Sequence, residues 1–257
     1  LLKSLWEHQD FLLTFQSFPP SNKTIMEART IGGIGCAFPE FRQSEYWREE
    51  GYERLLDDMR VEILSDGASY ELTPSYQMSI ATWFLEGFEV ARKFEYPVKK
   101  ELEDGIRRMF DWCVSITRPD FSRPSISDAG SLDAKYGYSL RYPARVLVSE
   151  HALWVASEGS EGSPPDYGSV ALRDSGYFVM RSGWDHDATY MFFDGGSYGR
   201  FHQHEDMLGF DLHALGTHFI VDPGIASYQS NDWTSYYTTT QAHNTVLVDG
   251  CGQNRRS

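Results

Sequence analysis

Three histidines and one aspartate, at positions His202, His204, Asp222 and His243, are the residues of this chain best suited to chemistry. Neutral imidazoles and a carboxylate are ligands that a tetrahedral zinc ion accepts, and a His-x-His pair on an extended segment supplies two of them at once. Asp222 precedes a Pro-Gly turn, and His243 lies shortly before an apolar, β-branched run. A single histidine in a strand is more often packed and hydrogen-bonded than bound to metal. The four together predict a metal site in a region patterned as strands.

The elements that must hold these residues change type along the chain. Through residue 157, apolar positions recur three and four apart, which is typical of amphipathic helices. This pattern predicts helices over residues 45–64, 73–90, 97–113 and 143–156, and the last three have prolines near their starts. Beyond residue 167 the apolar period becomes two, which predicts strands over residues 177–181, 188–193, 209–214, 218–221 and 245–248. A turn of hairpin type follows at Asp249-Gly250.

Residues 157–167 separate the two patterns. They are small, acidic and rich in Gly, Ser and Pro, a composition typical of a linker. The predicted organisation is therefore a helical part over residues 1–157, a linker over 158–167 and part of a β-domain over 168–257. Because the chain begins without Met inside a helical pattern and ends within the β-domain, we expect a fragment at both ends.

Composition and charge exclude several classes of protein. Hydrophobic residues make up 41% of the 257 residues and aromatic residues 15%, so the chain is globular rather than disordered. No apolar run approaches the roughly 18 residues that a membrane span needs. The net charge of −14 argues against nucleic acid as a partner, and it requires local neutralisation of any anionic substrate. Cys36, Cys113 and Cys251 are far apart and predict no disulfide framework.

Several segments together resemble one family. They are Gly35-Cys36-Ala37-Phe38-Pro39-Glu40-Phe41, Asp66-Gly67-Ala68-Ser69-Tyr70-Glu71-Leu72-Thr73-Pro74-Ser75-Tyr76, and the stretches at 202–206, 221–224 and 242–245. In this order they resemble the heparinase II/III-like polysaccharide lyases, a group that includes heparan sulfate lyases and alginate lyases. The resemblance implies an α+β multidomain fold, in which the N-terminal part of an (α/α) toroid is followed by an incomplete antiparallel β-sandwich. This agrees with the helix-linker-strand pattern.

The resemblance also implies a reaction, β-elimination in a uronic-acid-containing polysaccharide or oligosaccharide. The reaction requires a neutralised uronate carboxylate, a base for the C5 proton and an acid for the departing O4. Matched position by position, the catalytic residues implied are Asn22, Tyr76 and His202. The ligands implied for one zinc ion are His204, Asp222 and His243. We expect this zinc to be structural, holding the segment that presents the catalytic histidine.

Alternatives stay open for the individual residues. Without the resemblance, Tyr76 would be a core aromatic at the start of a helix, and Asn22 after Ser21 is also a good helix-capping signal. Substrate contacts are predicted at Glu71, Arg200, Tyr228 and Tyr236, with surface or packing roles as their alternatives. We expect Asn22, Tyr76 and His202 to converge on one cleft between the helical and β parts.

Two other functions stay open as well. An (α/α)-toroid glycoside hydrolase would need a carboxylate pair such as Asp66 and Glu71, but their positions flanking a turn favour turn and packing roles. The second is a zinc-stabilised carbohydrate-binding protein without catalysis. Only elimination leaves a C4–C5 double bond that absorbs in the near ultraviolet. The expected location is periplasmic or secreted, with a cytoplasmic one left open and the oligomeric state unassigned.

Overall fold

The structure, a computed structural model, describes residues 1–130, 132–198, 201–225, 227–229 and 231–253. The described helices are α1 (Leu2–Thr14), α2 (Asn22–Ala37), α3 (Ser44–Glu62), α4 (Pro74–Lys93), α5 (Lys100–Ser115), α6 (Gly137–Val146), α7 (Glu150–Ala156) and α8 (Asp232–Tyr237). The described strands are β1 (Val170–Leu172), β2 (Tyr177–Arg181), β3 (Tyr190–Asp194), β4 (Phe210–Ala214) and β5 (Thr217–Ile220). A 3₁₀ turn covers Thr240–Ala242. Helices α1 to α7 thus precede the strands along the chain, as the apolar periodicity predicts, and α8 follows them.

The chain forms two compact units. The first unit comprises residues 1–64 and 79–107, and the second comprises residues 65–78 and 108–257. In the first unit, α2 and α3 approach so closely that a Cβ on Gly51 would lie 2.2 Å from the backbone nitrogen of Gly32. Only glycine fits there. Around this crossing, Ile25, Ile31 and Leu55 are fully buried and supply apolar stabilisation of the first unit.

A buried carboxyl group links the same two helices. Asp58 on α3 is 5% exposed, and its Oδ1 accepts a hydrogen bond of 2.9 Å from the Thr24 hydroxyl on α2. Burial raises the pKa of Asp58 to about 7, although the Thr24 hydrogen bond opposes the shift. The folded protein therefore retains a proton on Asp58 at pH values where the unfolded chain has lost it.

This carboxyl group predicts a pH dependence of stability. An acid whose folded pKa is raised binds more protons when folded, so the free energy of unfolding should fall as pH rises from about 4 to about 7, by at most about 4 kcal/mol. In Asp58→Asn this fall should disappear, as measured by urea unfolding at several pH values. Asp57→Asn is the matched control, because Asp57 is exposed. An unchanged fall in Asp58→Asn would contradict the assignment.

The second unit contains a five-stranded antiparallel sheet with strand order β1-β2-β3-β4-β5. Alternate residues of β2 and β3 are buried, including Tyr177, Val179, Tyr190 and Phe192. This alternation is the period of two that the sequence shows. The buried tyrosine hydroxyls donate to backbone carbonyls, Tyr177 to Leu72 at 2.6 Å and Tyr190 to Ile116 at 2.7 Å. The residues that precede the sheet are thereby fixed against its buried face.

A buried ion pair holds β4 to the chain that follows α5. The side chains of Arg118 and Asp211 are both 0% exposed, and Arg118 Nε donates to Asp211 Oδ1 at 3.0 Å. Arg118 Nη1 also donates to the Ser122 hydroxyl and to the carbonyls of Arg123 and Leu132. Burial raises the pKa of Asp211, and the charge of Arg118 opposes this shift. The guanidinium thus organises the segment between α5 and α6, called the connector from here on, which leads to the candidate site.

Two of the predicted elements are wrong. The single helix over 143–156 is two helices, α6 and α7, because the chain turns at Val148, whose φ is +53°. The strand over 245–248 is absent from the described sheet, and Val248 instead forms an isolated bridge with Cys251 across the turn at 249–250. The predicted helix start at Pro74 is confirmed. The division into domains at residues 157–167 stays a prediction.

Among the described residues, no helix combines the length and the apolar character needed to cross a membrane.

Candidate active site

Tyr76 lies in the first turn of α4, and its ring stacks on the ring of His202. The two ring centroids are 3.8 Å apart, with an interplanar angle of 16°. The Tyr76 side chain is only partly buried, and its hydroxyl lies 3.2 Å from the hydroxyl of Tyr228. A core aromatic would instead be buried, with its hydroxyl paired to the backbone. The structure therefore brings Tyr76 and His202 together at a surface that a ligand can reach.

The backbone at His202 is strained. Phe201 and His202 have φ values of +50° and +51°, in the left-handed region that residues other than glycine rarely occupy. Such strain costs on the order of 1–3 kcal/mol per residue and is found preferentially at functional sites. The carbonyl of His202 accepts a hydrogen bond of 3.0 Å from the backbone N–H of Asp128, which helps to hold this conformation.

Asp128 contacts both members of the His-x-His pair. Its Oδ2 lies 2.8 Å from His202 Nδ1, and its Oδ1 lies 2.9 Å from His204 Nε2. Burial acts to raise the pKa of Asp128, but the hydrogen bonds and charges of His202 and His204 outweigh it and lower the pKa to about 2. Asp128 is therefore an ionised acceptor between two imidazoles.

Next to this pair lies a group of buried oxygen and nitrogen donors that can hold a metal ion. Ligand atoms of Asp206, Asp222 and His243 all lie within 4.8 Å of one another. The ring of His204 is adjacent, with its centroid 5.3 Å from that of His243. Buried His204 Nδ1 and His243 Nε2 have no hydrogen-bond partner among the described residues. Buried imidazole nitrogens without partners are costly, so these nitrogens are available to a ligand. The donor set of Asp206, Asp222 and His243 fits a metal, and His204 lies beside this group.

The turn after Asp222 places its carboxylate in this group. Gly224 donates its N–H to Asp222 Oδ1 at 3.0 Å, and His243 Nδ1 lies 2.7 Å from Asp222 Oδ2. Gly224 has a φ of +58°, and a Cβ there would lie 2.5 Å from the carbonyl oxygen of Ser125. Only glycine satisfies both conditions. Burial alone would lower the pKa of His243, but the hydrogen bond and charge of Asp222 reverse this and raise it.

One segment from the connector, Ser125–Asp128, contacts most of these groups, and the sequence pattern did not single it out. The Ser125 hydroxyl donates to the carbonyl of Asp222 at 2.5 Å, and the Ser127 hydroxyl donates to Asp206 Oδ2 at 3.2 Å. Asp206 belongs to the same motif as the histidine pair, so its position was a usable signal. For Asp128 the sequence offers no comparable signal, since it lies in a turn-rich connector.

The remaining predicted residues are placed as follows. Glu71 is 3% exposed, and its Oε2 lies 3.9 Å from His202 Nε2. Tyr228 is exposed beside Tyr76, and the pKa of its hydroxyl is raised, first by partial burial and then by the hydrogen bond with Tyr76. Tyr236 lies on α8 with its hydroxyl 3.3 Å from the carbonyl of Gln241. Arg200 lies outside the described residues. Asn22 is the first residue of α2 in the other compact unit, and its convergence on the site stays a prediction.

Comparison with known sequences assigns both parts of the chain to one family. The description "Heparinase II/III N-terminus" matches residues 1–147, and "Heparinase II/III-like, C-terminal" matches residues 164–257. The chain is 28% identical to a protein named "Heparin-sulfate lyase" from Pedobacter heparinus, with 96% of this chain and 39% of that protein covered. A protein of the same name from Bacteroides stercoris is 27% identical, with 89% and 35% covered. The chain thus spans well under half the length of these relatives.

A solved structure shows the same fold. The crystal structure of heparan sulfate lyase HepC from Pedobacter heparinus superposes with a TM-score of 0.85 at 27% identity, covering 97% of this chain and 40% of that one. The predicted fold class, part of an (α/α) toroid followed by part of an antiparallel β-sandwich, is thereby confirmed. The resemblance inferred from the motifs is confirmed as well, since the matches cover nearly all of the sequence. The chain belongs to the heparinase II/III family.

Proposed function

We propose that the protein is a polysaccharide lyase that cleaves a uronic-acid-containing glycan by β-elimination. The observation that carries the proposal is the stacked pair of Tyr76 and His202, two proton-transfer groups at one accessible surface of the second unit. The relatives named heparin-sulfate lyases support a glycosaminoglycan as the first substrate class to test.

The reaction is balanced without an added reactant. A base removes the C5 proton next to the uronate carboxylate, and the electrons of the C5–H bond form a double bond between C4 and C5. The C4–O4 bond breaks, and O4 leaves with a proton from an acid. Because charge builds up on the carboxylate as the proton leaves, a neutralising group is needed there.

Tyr76 and His202 are the proton-transfer groups in this proposal. A phenol can donate a proton and a phenolate can accept one, so Tyr76 suits either task. Tyr228 supports the phenolate form, because its hydroxyl, 3.2 Å away, can donate a hydrogen bond to Tyr76 Oη when that proton has left. The raised pKa of Tyr228 keeps it a neutral donor. His202 supplies the second proton-transfer group.

Asn22 is assigned to the uronate carboxylate, where its side-chain amide would stabilise the charge that develops as the C5 proton leaves. Glu71 is assigned to a sugar hydroxyl, from its buried position beside the His202 imidazole. The predicted contacts of Tyr228, Tyr236 and Arg200 with substrate complete the assignment.

Zinc is the metal we assign to the buried donor group. His204, Asp222 and His243 would hold it, with the unpaired His204 Nδ1 as one nitrogen donor. The Asp128 carboxylate would then pair with the other nitrogen of His204, an arrangement common around zinc-bound histidines. Bound zinc would fix the segment that carries His202. Asp206 is the competing third donor.

A metal assay decides between these donors. We expect one zinc per chain in the purified protein by mass spectrometry, loss of zinc in His204→Ala and His243→Ala, and retention in Asp206→Asn. Zinc loss should also lower Tm, because metal binding stabilises the folded state. His186→Ala, at an exposed histidine, is the control. Absence of zinc from the wild type would refute the site. Zinc loss in Asp206→Asn and His243→Ala, but not in His204→Ala, would show that Asp206 and not His204 is the third ligand.

The activity itself is tested with a panel of uronate polymers. The full-length protein should release products that absorb in the near ultraviolet from at least one of heparan sulfate, hyaluronan and alginate. New reducing ends without this absorbance would indicate a hydrolase. Binding without any cleavage would indicate a carbohydrate-binding protein, and either result would overturn the proposal.

A further inference from the structure

One carboxylate of the second unit pairs with both histidines of the His-x-His motif. A carboxylate ion only accepts hydrogen bonds, so each imidazole must donate to it: His202 from Nδ1 at 2.8 Å and His204 from Nε2 at 2.9 Å. We propose that Asp128 is a positioning residue that sets opposite tautomers on the two histidines. It leaves Nε2 of His202 free to accept a proton and Nδ1 of His204 free to bind metal. The catalytic half of this inference rests on the proposed function.

Burial and geometry support Asp128 as a fixed acceptor. Its side chain is 9% exposed. Each of its two oxygens lies within hydrogen-bond distance of one imidazole nitrogen, so one nitrogen of each ring is committed to the carboxylate. In this arrangement the neutral imidazole of His202 has its proton on Nδ1, and Nε2 carries the lone pair that a general base needs.

The backbone around Asp128 fixes the carboxylate in place. The N–H of Asp128 donates to the carbonyl of His202 at 3.0 Å, and its own carbonyl accepts from the hydroxyl of Ser75 at 3.0 Å. Ser75 directly precedes Tyr76 in the first turn of α4. One loop residue thus connects the segments that carry Tyr76, His202 and His204.

An amide in place of the carboxylate cannot reproduce this arrangement. Asparagine offers one oxygen acceptor and one NH₂ donor, so it can accept from only one of the two imidazoles. The other imidazole must turn its lone pair toward the amide and present its N–H elsewhere. If that imidazole is His202, the site loses its base; if it is His204, the metal site loses a nitrogen donor.

The tautomers can be measured directly in the wild-type protein. Long-range ¹H–¹⁵N spectra of histidine-labelled, zinc-loaded protein at about pH 8, above the ordinary imidazole pKa, distinguish protonated from unprotonated ring nitrogens. We expect His202 to be protonated on Nδ1 and His204 to carry its proton on Nε2. A proton on Nε2 of His202 would overturn the proposal without any need for a variant to fold.

The variant Asp128→Asn tests the consequences. We expect zinc affinity to fall by about 10–100-fold, or kcat to fall by about 10²–10⁴-fold with KM within a few-fold, according to which imidazole turns. A Tm close to that of the wild type would show that the fold is kept. Asp120→Asn is the matched control, because Asp120 pairs with His218 Nε2 at 2.9 Å outside the site. It should change neither zinc affinity nor kcat.

The outcomes separate this proposal from the proposed function. Wild-type zinc affinity and wild-type kcat in Asp128→Asn would refute the positioning role. If the wild type cleaves no uronate polymer, the proposed function fails, but the tautomers and zinc affinity still decide the role of Asp128. Asp128→Glu, which keeps two acceptor oxygens, should restore part of whichever property Asp128→Asn loses.

Discussion

Replacement of Tyr76 by Phe is expected to lower kcat by at least about 10²–10⁴-fold, the range that positioned proton transfer usually contributes. The ring and its stacking on His202 are kept, so KM and Tm should change little. A larger loss is expected if Tyr76 serves as both base and acid. The measurement is the rate at which near-ultraviolet absorbance increases when the enzyme acts on whichever uronate polymer the wild type cleaves.

The control for this variant removes a hydroxyl elsewhere. Tyr46 on α3 is 53% exposed, and Tyr46→Phe should leave kcat unchanged. Near-normal formation of unsaturated product by Tyr76→Phe would show that the tyrosine is not a proton-transfer group. Membership of the heparinase II/III family would stand in that case, because it rests on the whole chain.

Replacement of Arg118 by Met is expected to cost about 3–5 kcal/mol of unfolding free energy, because it leaves a buried charge without its partner. Asp211 would lose its guanidinium, and the carbonyls of Arg123 and Leu132 would lose their shared donor. Urea unfolding at pH 7 measures the loss. The loss should shrink at about pH 5, because Asp211 without a cation can take up a proton, which removes the buried charge.

A surface pair provides the comparison for Arg118. Lys100 and Asp104 on α5 are both exposed, and Lys100→Met should change stability by no more than about 1 kcal/mol. If Arg118→Met were equally mild, the ion pair would not be what holds the connector to β4.

The sequence determined the elements whose pattern is local. Apolar spacing of three and four predicts the helices from α3 to α5, and alternation predicts β2 to β4, because each pattern reflects one buried face. The error at 143–156 has a local cause too, since the single backbone conformation of Val148 divides the helix without changing the apolar pattern. Residues 245–248 have a composition typical of a strand, but in the described structure they have no neighbouring strand to pair with.

Local order also explains why part of the candidate site was recognisable. His202 and His204 are two residues apart, and Asp222 is fixed by the Pro-Gly turn that follows it, so short motifs were enough to identify them. Tyr76 was identified only by the resemblance of its motif to the family, because its position at a helix start fits a core aromatic as well. No spacing rule predicts that its ring stacks on a histidine from the far end of the chain.

Tertiary structure alone decided the role of Asp128. It lies 74 residues from His202 in a connector without periodicity, and only folding brings its carboxylate to both imidazoles. The same holds for the inclusion of Asp206 in the metal group, and for the hydrogen bonds from Ser127 to the Asp206 carboxylate and from Ser125 to the backbone carbonyl of Asp222. The residue type determines which hydrogen bonds a side chain can make. The partner that the side chain contacts in the folded protein depends on the closing of long loops, and the packing of the sheet against the helices determines which loops close.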